Sequence, residues 1–141
     1  MGEQDDGYRQ RFAAARVARL GTADAAGIPH LVPVTFAVHE DTIVFAIDHK
    51  PKKTTNLKRL RNIVENDRAS LLVDEYVDSD WSQLWWVRAD GKARIMEDLH
   101  EGRQHLSCLV EKYNQYQERP PVGPLVLVAV DRWSGWAYDG R

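Results

Sequence analysis

The sequence predicts a mainly β protein: a β-barrel of six mostly antiparallel strands with helices inserted between some of them. Three observations carry this. Short apolar or alternating segments recur along the 141-residue chain, separated by Gly, Pro, Asp and Asn clusters. Few connections are long enough for parallel crossovers, which favours antiparallel pairing. Six amphipathic strands leave no exposed edge when they close on themselves. The length fits one domain over residues 1–141, and 43% apolar with 28% charged residues fits a packed core rather than disorder.

The elements follow in order. Tyr8 and Phe12 are four apart and share a face of an N-terminal helix within residues 1–14. The barrel then occupies residues 16–136. Residues 17–23 form a first strand, closed by the turn signal Asp24-Ala25-Ala26-Gly27. Residues 30–38 (HLVPVTFAV) form a second strand, in which Pro33 removes one ladder donor and predicts an edge or a bulge. His39-Glu40-Asp41 turns the chain into a third strand at 42–47, so that the three make a meander. Thr54 or Thr55 caps a helix near 54–66 whose buried stripe is Leu57, Leu60, Ile63 and Val64. A fourth strand spans 68–76, and an acidic loop 77–80. A long fifth strand at 82–96 bends or bulges near Gly91. A helix near 98–116 ends before ERPPVGP, and residues 125–136 form the last strand.

Several function classes are excluded. One cysteine, Cys108, allows neither an internal disulfide nor a four-cysteine zinc site, and suits a reducing, cytoplasmic compartment. No apolar run is long enough to span a membrane. The N-terminus lacks a signal-peptide pattern and a myristoylation motif. There is no G-x-G-x-x-G, P-loop or G-x-S-x-G, and no Ser/His/Asp order that suggests a triad. His100 and His105 are five apart on a helix, and His30, His39 and His49 show no ligand spacing, so no metal site is expected. Asp74, Glu75, Asp78 and Asp80 read as a solvated loop rather than a cation site.

One segment stands out. Lys50, Lys52, Lys53, Lys58, Arg59 and Arg61 follow one another without an intervening acid, in a chain whose formal net charge is -2. Adjacent lysines leading into a hydroxyl-capped helix N-terminus make an anion site, because backbone N–H groups, the helix dipole and ammonium groups act together. Thr54, Thr55 and Asn56 add neutral donors. Clustered lysines also suit a nucleic-acid backbone, but a pI near 6.2 argues against a dedicated binder. Trp81, Trp85, Trp86, Trp133 and Trp136 form a second concentration, read as core or subunit interface ahead of ligand stacking.

The order RVARLGT, GIPHLVPVTF, KTTNL, NDRASLLV and GKARI resembles the pyridoxamine 5'-phosphate oxidase-like, FMN-binding split-barrel superfamily. WSQLWWVRADGKARI and DRWSGW resemble its coenzyme F420-dependent oxidoreductase branch. The resemblance implies a split-barrel homodimer with cofactor sites in the subunit interface. It implies that Lys53, with Lys52 and Lys50, meets the cofactor phosphate beside Thr54 and Asn56. Pro33, Val34 and Thr35 would pack on the flat ring, with Trp133 and Trp136 near its edge.

The expected activity is hydride transfer between deazaflavin F420 and a small organic substrate. The surplus of basic residues suits the phosphodiester and carboxylates of F420, whereas FMN, the alternative cofactor, needs one phosphate. A non-catalytic cofactor-binding dimer is the other alternative. Haem-binding relatives also exist, for which His30 or His49 could ligate iron. Neither a nucleic-acid nor a membrane partner is expected. Catalytic side chains remain unassigned, because the cofactor carries the hydride.

Overall fold

The strands lie in an order that brings the ends of the sheet together. The computed structural model describes residues 2–47 and 57–139. Within them run α1 (Glu3–Ala14), β1 (Ala18–Ala23), β2 (Pro29–Val34), β3 (Ala37–His39) and β4 (Thr42–Ala46). Then come α2 (Leu57–Glu65), β5 (Arg68–Glu75), a 3-10 turn (Trp81–Gln83), β6 (Trp85–Met96), α3 (Arg103–Lys112), α4 (Asn114–Glu118) and β7 (Leu125–Ala137). The sheet order is β2-β1-β5-β6-β7-β4-β3, with every pairing antiparallel. Its two edge strands are consecutive in the chain, separated only by Thr35 and Phe36. The three Cα–Cα steps from Val34 to Ala37 span at most about 11 Å. The opposite edges must therefore meet there, and the sheet curls into a barrel split at that junction.

Two expectations are corrected at this split. Residues 30–38 are two strands, giving seven strands among the described residues. The first three expected strands are not a meander: β2 pairs β1 at one edge, and β3 pairs β4 at the other. The backbone at the junction bonds to side chains in place of a strand. The Tyr113 hydroxyl accepts from the Phe36 N–H (3.1 Å) and donates to the Arg16 carbonyl oxygen (2.8 Å). The Thr35 and Tyr116 hydroxyls meet at 3.1 Å. Tyr113 itself takes extended backbone (φ -121°, ψ 125°), which divides the expected helix over 98–116 into α3 and α4.

The barrel interior holds Phe12 from α1, Phe36, Phe45, Leu20, Leu71 and Trp133, among others. Phe12 packs on Phe36 at 4.9 Å and edge-on to Trp133 at 5.4 Å. Each such ring, fully buried, contributes about 1.5–3 kcal/mol. A second cluster lies outside the barrel wall, where Leu109 of α3 covers Val44, Leu125 and Leu127. Strand β4 is thus buried on both faces, which explains the apolar run IVFA that follows Thr42.

The expected irregularity at Gly91 is present: the β6–β7 register shifts between Asp90 and Gly91. A Cβ on Gly91 would collide with the Ala129 carbonyl oxygen, so the strands approach as only glycine permits. In the acidic loop, Asp80 accepts from the Ser82 N–H (3.1 Å), the Ser82 hydroxyl (2.6 Å) and Gln83 Nε2 (3.1 Å). That carboxylate caps the 3-10 turn. No helix among the described residues is long and apolar enough to cross a membrane.

Candidate functional site

Strand alternation sorts the candidate residues onto two faces. Cross-strand pairing runs Pro33–Arg19–Leu72–Arg88–Ser134 along one outward row and Leu31–Gly21–Ser70–Asp90–Arg132 along the next. Trp86 and Trp136 are paired on the same outer face. Among its arginines, Asp90 and serines, this face carries three exposed apolar side chains: Leu31 is 71% exposed, Trp136 47% and Leu72 37%.

The expected ring-contacting residues divide accordingly. Pro33 and Trp136 lie on the outer face, and Thr35 is exposed at the split. Val34 points inward and is buried. Trp133 also faces inward, 5% exposed. It rests against Phe12 and donates from Nε1 to Asp41 Oδ1 at 3.2 Å. Asp41 also receives Arg9 at 3.0 Å, which ties α1 to the barrel. Trp133 is thus a core residue of this chain. The expected phosphate-contacting residues Lys50, Lys52, Lys53, Thr54 and Asn56 lie outside the described residues, as does His49.

Helix α2, which follows that basic segment, is fixed to β1 by a buried polar pair. Asn62 Nδ2 donates to Thr22 Oγ1 at 3.1 Å, and Asn62 is 1% exposed. Ile63 packs beside it in the core. The buried stripe is therefore rotated from the expected one: Val64 is 77% exposed, and Asn62 lies inside. Glu65 accepts from the Ala25 N–H at 3.0 Å, and Lys58 lies 3.7 Å from Asp24. Lys58 thus faces an acid, which trims the cationic surface the sequence suggested. Hydrogen bonds from the Ile28 and Ala26 N–H groups, with Lys58, hold the Asp24 carboxyl below its ordinary range.

Two grooves open on the outer side. One, about 340 Å³, lies between Leu72, Tyr76, Trp86, Arg88 and Trp136. The Arg88 guanidinium is 5.6 Å from the Trp86 ring centroid. The other, about 580 Å³, runs past His30, Arg68, Ser70, Asp131 and Arg132. Arg68 reaches Asp131 at 2.8 Å, and its guanidinium holds that carboxyl below the usual range. His30 Nδ1 and Ser134 Oγ are buried yet have no hydrogen-bond partner among the described residues. Buried polar atoms of this kind call for a ligand or solvent partner. Sequence reading missed Asn62, Arg68 and Ser134. Asn62 left one signal, a polar residue inside an apolar stripe; the other two became visible only through cross-strand pairing.

A model of pyridoxamine 5'-phosphate oxidase matches residues 5–137. The chain belongs to that family. No curated protein matches it at a significant level. Solved structures share the split-barrel fold at low identity. A conserved hypothetical protein from Mycobacterium tuberculosis is 19% identical, with 97% of this chain and 85% of that one covered and a TM-score of 0.74. A FAD-binding protein from Mesorhizobium loti is 20% identical, covering 96% and 94%, at a TM-score of 0.67. The heme storage protein HutZ from Vibrio cholerae is 17% identical, covering 95% and 92%, at a TM-score of 0.68.

Proposed function

We propose that this family member is a homodimeric oxidoreductase that uses coenzyme F420 to reduce a small organic substrate, with the cofactor held between subunits. The observation that carries the reading is the cationic segment joining β4 to α2, in a chain of this family. A flavin-type cofactor is supported by the FAD-binding neighbour of the same fold. The choice of F420 rests on the number of cations, more than one phosphate requires.

The residues fit such a group. Leu31, Pro33 and Trp136 offer apolar side chains on the outer surface for a flat ring, and Ser134 Oγ, on the same face and without a hydrogen-bond partner among the described residues, offers a polar anchor. Lys50, Lys52 and Lys53 would hold the phosphate, with Thr54 and Asn56 as neutral donors. When bound, the deazaflavin supplies the hydride. The chain orients the substrate and keeps water out, which a second subunit over the apolar face achieves. Asn62, through Thr22, keeps α2 in register with β1.

The test is a fluorescence titration of the purified protein with F420 and with FMN in parallel. Tight F420 and weak FMN binding is the expected result, and Lys53→Ala should weaken it by about 1–3 kcal/mol. Preference for FMN would make the chain a flavin oxidoreductase. Failure of both would end the reading. Light scattering at micromolar concentration should give a dimer; a monomer with full cofactor affinity would remove the interface site.

A further inference from the structure

The groove of about 580 Å³ on the outer side has two rims of different chemistry. Its volume suits a small organic molecule. One rim is apolar, made by Pro29 and Leu31 of β2. The floor between the rims is low, because Gly21 and Ser70 occupy it in one cross-strand row. The other rim is charged and owes its form to the β6–β7 bulge. Asp90 pairs Arg132 while Gly91 pairs Val130, so Asp131 is the extra residue. Consecutive strand residues ordinarily point to opposite faces, yet here Asp131 and Arg132 both stand exposed along the groove.

Both carboxylates of the charged rim already have cations. Asp131 receives Arg68 at 2.8 and 3.4 Å. Asp90 accepts from Arg88 Nε at 3.2 Å and from the Ser70 hydroxyl. Lys92 and Asp67 act on the Arg68–Asp131 pair through their charges. Four cations (Arg68, Arg88, Lys92, Arg132) thus face three carboxylates, and Arg132 has no hydrogen bond or ion pair among the described residues. His30 also lines the groove, and its Nδ1 is without a hydrogen-bond partner among the described residues. We propose that this groove binds the reducible substrate as an organic carboxylate, paired to Arg132 and with its apolar body along Leu31. The inference rests on the oxidoreductase reading for the role of substrate and on the groove alone for binding. A guanidinium offers two parallel N–H donors that match a carboxylate. One excess positive charge balances a monoanion. A phosphate monoester carries about -1.5 to -2 near pH 7 and would crowd Asp90 and Asp131 with uncompensated charge. From Leu31 to Arg132 the row crosses four strand spacings, about 19 Å along the sheet, which leaves room for a bicyclic acid.

Three probes test this: 2-naphthoate, its neutral amide and 2-naphthyl phosphate. Each is titrated by NMR into the isotope-labelled full chain, alone and with F420 present. Naphthoate should shift the amide signals of Leu31, Ser70 and Arg132 and bind about tenfold or more tightly than the amide, the scale of one charge-assisted hydrogen bond. Arg132→Gln alters an exposed side chain, so the fold survives, and it should bring acid and amide to nearly equal affinity. Arg132→Lys keeps the charge without the paired donors and should retain part of the preference. Equal affinity of acid and amide for the wild type overturns the proposal, as does tighter binding of the phosphate. So does an unchanged preference in Arg132→Gln, or no saturable shift at the groove in either condition. If F420 binds and naphthoate does not, this proposal falls alone. If naphthoate binds and F420 does not, the carboxylate site stands and the oxidoreductase reading falls.

Discussion

Trp133 and Trp136 are three residues apart on β7, yet one is sealed in the barrel and the other stands half exposed on its outer wall. The contrast extends to the two faces of the sheet. Inside, Trp133, Phe12 and Phe36 interlock at ring distances of 4.9 and 5.4 Å, and the indole N–H is satisfied by Asp41. Outside, Leu31, Leu72 and Trp136 are exposed apolar side chains, and Ser134 Oγ is buried without a hydrogen-bond partner among the described residues. The inner face is complete within one chain; on the proposed reading the outer face meets the cofactor and a second subunit. Substitutions on the two faces should then separate stability from recognition.

The largest effect should fall on the inner face. Trp133→Ala removes a ring that is 5% exposed and leaves Asp41 with one donor fewer. It should cost about 3–5 kcal/mol of unfolding free energy in a urea titration. A loss below about 1 kcal/mol would mean that the indole is not a core element. Next comes the polar pair under α2. Asn62→Ala leaves Thr22 Oγ1 buried without its donor and should cost about 1–3 kcal/mol. Because α2 follows the basic segment, cofactor affinity should fall with it.

A smaller effect comes from a cation held beside the interior. Lys112 Nζ sits 3.8 Å from the Phe36 ring centroid and donates to the Ala15 carbonyl oxygen at 2.7 Å. Burial first, then the charge of Arg16, brings its pKa down to about 8 from 10.5. In the folded state the ammonium is thus the disfavoured form. Below about pH 8 both states are protonated and the penalty is present in full. Between about 8 and 10.5 the unfolded chain binds more protons, so stability rises with pH. The wild type should gain about 1–2 kcal/mol relative to Lys112→Met across that range, since the half-buried ammonium keeps part of its water. Parallel profiles would mean that Lys112 titrates as an exposed lysine.

Much of the fold was legible because period-two alternation and turn residues act locally. Gly91 announced its bulge, and 68–76 and 125–136 announced strands that observed β5 and β7 match to within a residue or so at each end. The break at Thr35–Phe36 was hidden because its cause lies far along the chain, in the Tyr113 and Tyr116 hydroxyls. The rotation of α2 was hidden for a similar reason: a polar residue in a helix stripe makes sense only once Thr22 is seen opposite it. The two tryptophans were legible but misread together, since an odd separation on a strand already sends them to opposite faces.

The smallest change in stability, and the sharpest test of the contrast, belongs to Trp136. Its ring is 47% exposed, lines the groove beside Trp86 and Leu72, and supports nothing in the barrel interior. Trp136→Ala should alter the unfolding free energy of the monomer by no more than about 0.5 kcal/mol, the usual scale for surface substitutions. If the outer face is the subunit and cofactor surface, the same change should weaken dimerisation and cofactor binding together, because a buried tryptophan at an interface commonly costs about 2 kcal/mol or more when truncated. Sedimentation across a concentration series reads the first, and cofactor titration above the dimer dissociation constant reads the second. Loss of both with the fold intact places recognition on the outer wall. An intact dimer with unchanged cofactor affinity would leave Trp136 a bystander and move the site toward the split at Thr35, where the Tyr116 hydroxyl already waits at 3.1 Å.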